Sequence, residues 1–323
     1  MGQGEEVKTR ADPKVEIQER GDIFFFYRPK IAKEEAHGVD DVQKMYIILR
    51  PESGERTFEE KQSPDSGKEG KKRTEEEKEN DDEDAEKDKP EGGHGAQEVN
   101  IEKQLLLRFI VMGRKSLPDP SKRSKPYWGF VEMVTTKTED IKTALKGEEY
   151  DTATIGHRRQ APARALAEGV YRILRHQFGR QTHTHLIYKL EFPAEDTPNE
   201  PQEEFNIERE GSFIIQIRNP EHSGHGSGFD GLQTKRRAAF PASLQGCLGK
   251  RQFAAADPPD FLNYEGCEFL LISASDDIDE ELGLDLKTQN EGEEEEADES
   301  CSDLIKLFGD SASSKPLFSG TWV

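Results

Sequence analysis

Cysteine is scarce. Cys247, Cys267 and Cys301 are the only three in 323 residues, they lie far apart, and none forms a Cys-x-x-Cys pair. That excludes a disulfide framework and a thiolate zinc site, and it points to a reducing compartment. Long apolar runs are missing too: no stretch approaches the roughly 18 residues needed to cross a bilayer. The opening Met1-Gly2-Gln3-Gly4-Glu5-Glu6 lacks a signal-peptide core and has Glu6 where a myristoylation motif needs Ser or Thr. The expectation is a soluble protein of cytosol or nucleus, with no membrane association. No Gly-x-Ser-x-Gly elbow, P-loop or His-Glu-x-x-His occurs either, so the best-known hydrolase, nucleotide and zinc-protease signatures are absent. Large apolar residues are thin throughout: 32% of the chain is hydrophobic and 34% charged. Part of it must therefore stay solvated, leaving about 220 to 230 residues to fold, enough for one composite domain.

What is abundant is acid, and it is localised. Of the net charge of −21, the stretch Glu55 to Glu98 supplies −8 (17 acids, 9 bases) and Asp276 to Asp303 supplies −13 (14 acids, one base). The rest of the chain is close to neutral, so an anionic partner is not excluded, because the field that a ligand meets is local.

Short apolar runs bounded by Gly and Pro mark strands: Ile23-Phe24-Phe25-Phe26-Tyr27, Met45 to Leu49, Leu105 to Met112, Tyr127 to Val134, Val170 to Leu174 with His185 to Phe192 across a Gly179 turn, Ser212 to Ile217, and Cys267 to Ile272. Helical signals are few. Thr138 to Lys146 has acids in its first turn and Gly147 behind it, Ala161 to Glu168 reads as a helical turn, and a short helix is expected after Pro241. The fold class expected is α+β, predominantly antiparallel β, a sandwich or open barrel with a few short helices. Residues 1–18 are expected to be disordered. A single β-rich domain spans 19–286, interrupted by a disordered charged insertion at 53–100. The acidic tether 287–323 ends in an apolar peptide containing Leu304, Ile305, Leu307, Phe308 and Trp322, with Ser302 as helix cap and Gly309 as stop. That peptide is expected to dock on the chain's own domain or on a protein partner. Ser300 and Ser302, flanked by acids, are candidate phosphorylation sites.

Three features could carry chemistry. Gly226-Ser227-Gly228-Phe229-Asp230-Gly231 fits G-x-G-x-x-G, but Pro220 before it and Pro241 behind it deny it a strand-to-helix setting, and a plain glycine loop is the reading. His183 and His185 alternate on a strand with His176 across the turn, a candidate metal face without a spaced carboxylate. Between Lys103 and Lys189 bases outnumber acids about two to one. Lys122, Arg123 and Lys125 stand beside Tyr127 and Trp128, while His157, Arg158 and Arg159 precede Arg164. Guanidinium forks bind phosphate and aromatic rings stack on bases, so these nine residues form a candidate anion or RNA site. The competing account is that the bases pair with the tethered acidic segments.

The stretches Glu19 to Lys30, Tyr127-Trp128-Gly129-Phe130-Val131, and Pro258 to Gly266 resemble a plant and bacterial protein family without assigned activity. The resemblance implies a recurring domain and carries no site residues. The reading that follows is a non-enzymatic binding or adaptor protein with a basic face modulated by its acidic segments, needing no cofactor. The alternatives are an RNA or phosphate-ligand binder and a metal-dependent hydrolase.

Overall fold

The computed structural model describes residues 5–11, 13–31, 33–52, 55–59, 96–100, 104–152, 156–194, 197–222, 231–288 and 302–322; stretches 55–59, 96–100, 150–152 and 156–158 and residue 178 are described by backbone alone. The strands run β1 (Glu5–Lys8), β2 (Val15–Pro29), β3 (Val42–Pro51), β4 (Glu55–Glu59), β5 (Ala96–Asn100), β6 (Leu107–Met112) and β7 (Tyr127–Thr135). After α1 (Thr138–Leu145) come β8 (Glu148–Thr152), β9 (Gly156–Gln160), β10 (Arg164–Phe178) and β11 (Gln181–Phe192). Then follow α2 (Glu200–Glu204), β12 (Glu210–Arg218), α3 (Ala242–Leu248), β13 (Phe253–Ala255), β14 (Glu268–Ser275), α4 (Ile278–Leu282), β15 (Leu284–Lys287), α5 (Asp303–Phe308) and α6 (Lys315–Ser319).

Eight of these strands close into a barrel in the order β2, β3, β6, β7, β14, β12, β11, β10 and back to β2, with every pair antiparallel. The sandwich is thereby excluded and the barrel is closed rather than open, because β11 pairs with β10 on one side and with β12 on the other. Closure leaves no edge among these eight strands, and eight strands enclose a bore that side chains fill. Strand alternation supplies the filling: Ile23, Phe25 and Tyr27 of β2, Met45, Ile47 and Leu49 of β3, and alternate residues of the other strands form one buried cluster. The intervening residues, among them Phe24, Phe26, Tyr46, Ile48 and Phe109, form a second cluster on the outer wall. A run apolar at every position is thus satisfied on both faces.

The C-terminal peptide covers that outer wall. Leu304, Phe308 and Leu317 are fully buried, with Ile305 and Leu307 packed against the same cluster, and Phe308 meets Phe24 and Phe26 edge-on at 5.8 and 6.0 Å. Trp322 packs on Tyr27 and Phe205 at 5.5 and 5.6 Å. Ser302 caps α5 by accepting from the Ile305 amide, and its hydroxyl donates to Glu168 at 2.5 Å. Ser302 is therefore buried and not open to a kinase in this state; Ser300 lies outside the described residues, as does most of the acidic tether.

Two expectations need correction. Residues 1–18 are not disordered along their described length: β1 pairs with β15, β2 begins at Val15, and Glu6 accepts from Arg20 at 2.8 Å and from the buried Arg172. Ala161 to Glu168 is no helical turn, since β10 starts at Arg164. There Ala163 and Ala165 exchange backbone hydrogen bonds with Ser313 of the tail, and their small side chains let the two backbones approach. The expected charged insertion fits the structure: of 53–100 only β4 and β5 are described, pairing antiparallel, and residues 53–54 and 60–95, where most of the expected disorder falls, lie outside the described residues.

Candidate functional site

The hairpin of β10 and β11 turns at Gly179, whose φ of 61° is the left-handed conformation a tight turn asks of glycine. Beyond this turn His176 pairs across from His183. Leu186, Tyr188 and Leu190 point into the barrel, so His183 and His185 stand on its outer wall. The ring centroids of His176 and His185 lie 5.3 Å apart, and those of His183 and His185 lie 6.5 Å apart.

Three other parts of the chain close a cavity of about 700 Å³ over these rings. The first is α4, anchored by Ile278 and Leu282 against Leu174 and Ile187, capped by Asp277, and ended by left-handed Gly283. It brings in Glu281. The second is the segment joining β1 to β2. It contributes Arg10, which donates to the carbonyls of Asp279 and Glu280, and Lys14, whose own carbonyl accepts from the Gln177 amide at 2.9 Å. The third is the loop between β6 and β7, which contributes Arg123 and leans on β14 through Ser124 and Ser273. The side chains of Lys14 and Arg123 form no ion pair among the described residues.

His185 is buried, and its Nδ1 lies 3.0 Å from the Ser212 hydroxyl and 3.7 Å from Glu281. Ser212 in turn hydrogen-bonds Glu281. With Glu281 ionised its carboxylate only accepts, so Ser212 donates to it and accepts from His185 Nδ1–H. The ring's Nε2 is left as a buried lone pair with no donor among the described residues. Serine and glutamate sit on the same ring nitrogen and Ser212 is wholly buried, so this trio is not a nucleophile-activating relay. Burial, then the nearby His176 and His183, push the His185 pKa down to about 3; burial and His183 lower that of His176; burial raises that of Glu281. At neutral pH the cavity thus pairs neutral imidazoles with cationic Lys14, Arg123 and Arg10.

The residues expected to bind anions separate. Arg123 reaches the cavity, whereas Lys122 is exposed and paired with Asp119 at 2.7 Å, and Lys125 is exposed on the same loop. Tyr127 and Trp128 form no common platform. Being consecutive on β7 they face opposite sides, Tyr127 toward the barrel cluster under Arg114 at 4.4 Å and Trp128 against Phe130 of the outer wall at 5.2 Å. Arg159 bonds Glu34 and Arg164 donates to the carbonyls of Pro162 and Glu34. Arg164 opens β10, twelve residues before His176, which is about 40 Å along an extended strand. The two basic clusters therefore share no surface. The side chains of His157 and Arg158 and most of the glycine loop lie outside the described residues. As the rings stand, no three His, Cys, Asp or Glu side chains among the described residues are arranged to hold a metal ion.

Sequence reasoning missed Arg10, Lys14, Ser212 and Glu281. Arg10 and Lys14 sit in a stretch expected to be disordered, and Glu281 in a charge run read as solvated. No family model, no curated protein and no solved structure matches this chain, so the resemblance noted in three stretches brings no residue roles to it.

Proposed function

We propose that the protein is a non-enzymatic binding protein whose outer-wall cavity takes a small anion, a phosphorylated or carboxylated ligand. The observation that supports this reading is the convergence of Lys14 and Arg123, neither ion-paired among the described residues, on a cavity that His176, His183 and His185 also line. Among the described residues Glu281 is the one carboxylate lining it, and it is hydrogen-bonded to Ser212. A concave site with a few convergent polar groups is the usual form of a small-ligand site. The acidic tether acts as a modulator in this reading. It follows β15, which comes directly after the helix that roofs the cavity, so its carboxylates compete for Lys14 and Arg123 at high effective concentration.

Isothermal titration of the full chain with inorganic sulfate, pyrophosphate and citrate at low ionic strength tests the proposal. Saturable 1:1 binding is expected, weakened at least tenfold in a Lys14→Glu, Arg123→Glu double variant and steeply reduced by salt. Absence of binding, or equal binding by the charge-reversed variant, would overturn it.

A further inference from the structure

Taking the cavity as an anion site, we infer that the anion enters together with a proton, which the His176 and His185 pair takes up and shares. The Ser212 and Glu281 chain holds His185 in the Nδ1–H form and leaves Nε2 as an acceptor, buried and without a donor among the described residues. A neighbouring ring can supply the donor. Imidazoles whose centroids lie 5.3 Å apart, as in His176 and His185, bring facing nitrogens to about 3 Å when one turns toward the other, a hydrogen-bond distance. At 6.5 Å His183 is too far to do this.

The groups facing the pair account for the coupling. Arg10 and Lys14 come from the N-terminal segment, Arg123 from the loop before β7, His183 from β11 and Glu281 from α4. Cations dominate this set, and burial already disfavours charge on either ring, so the empty site keeps both neutral. A bound dianion reverses the local sign. It compensates Lys14 and Arg123, favours the imidazolium form of His176, and His176 N–H then donates to the waiting Nε2. One proton is bound per anion and none is transferred to the ligand. By linkage, affinity is highest at low pH and falls as pH rises through the pKa of the pair in the complex, by about tenfold per unit for one proton.

Sulfate is the probe, since it does not titrate between pH 5 and 8. Titration of the full-length protein in two buffers of different ionisation enthalpy at the same pH should report uptake of close to one proton per sulfate near pH 6, with affinity falling as pH rises. A His176→Gln variant should still bind sulfate through Lys14 and Arg123, but without proton uptake and with a flat pH profile. A His183→Gln variant should retain the uptake. If sulfate binds the wild type with no proton exchange, or if His176→Gln takes up protons as before, the inference fails while the anion site stands. If sulfate does not bind at all, the site itself is refuted and the inference with it.

Discussion

Arg108 sits inside the barrel with no accessible surface, its guanidinium forked onto Glu19 at 2.5 and 2.8 Å and its Nε donating to Asn263 at 2.8 Å. Tyr171 adds a hydroxyl to the same carboxylate at 2.8 Å. Burial alone would lower the Arg108 pKa, but the facing Glu19 outweighs it and the charge is held. Truncating one partner leaves the other buried and unpaired. Arg108→Leu should therefore cost about 3 to 5 kcal/mol, and combining it with Glu19→Leu should recover most of that loss. Urea unfolding of the two variants decides the matter, and an additive loss in the double variant would contradict the pairing argument. A second residue-scale effect concerns pH. Burial raises the carboxyls of Glu168 and Asp22 to about 7 and about 6, although Glu168 accepts from Ser302 and from the amides of Asp303 and Leu304. Both folded pKa values exceed the ordinary ones, so the folded state holds these protons more tightly. Stability from this source is full below the ordinary carboxylate range and is lost as pH rises through about 6 to 7. For Glu168 the swing is on the order of 3 kcal/mol at most. The thermal midpoint should fall from pH 5 to pH 7.5, and Glu168→Gln should flatten the slope.

The elements most exposed to test are the tail and the hairpin that carries the histidines. Phe308 wedges against two phenylalanines of β2, so Phe308→Ala should destabilise the fold by about 3 to 5 kcal/mol, read by chemical denaturation. An effect below 1 kcal/mol would mean that the tail is not part of the cooperative unit in solution. Gly169 lies where the register of β10 and β11 shifts, and a Cβ there would come within 2.1 Å of the Lys189 carbonyl oxygen. Gly169→Ala must push the strands apart and should cost about 1 to 3 kcal/mol. The strands themselves were legible as apolar runs punctuated by Gly and Pro, and α5 stood where its capping Ser302 and stop Gly309 put it, whereas α1 and α3 lie in the expected stretches without a side-chain cap. Ala161 to Glu168 was misread because alanine favours helix in isolation, whereas here it is chosen for the close approach of the tail backbone. Tyr127 and Trp128 looked like one platform because adjacency in sequence conceals the two-residue period of a strand.

For the whole molecule the question is how the acidic segments meet the barrel. Replacing Glu291, Glu293, Glu294, Glu295 and Glu296 by glutamine should raise sulfate affinity severalfold at low ionic strength, with the gain vanishing at about 0.5 M salt as screening shortens the reach of charge. An unchanged affinity at low salt would remove the tether from the account of the cavity.

Composition and local pattern by themselves determined that the chain is β-rich and that its net acidity is confined to two segments, because these follow from residue type and local period. They also brought His176, His183 and His185 to one side of one hairpin, since a tight turn and strand alternation are local rules. Only the tertiary structure decided that the sheet closes, that the apolar C-terminal peptide finds its partner on the same chain, and that Arg123 rather than Arg159 or Arg164 joins the histidines. Closure joins strands far apart in sequence, and the cavity is lined by residues between Arg10 and Leu282 that no local pattern connects.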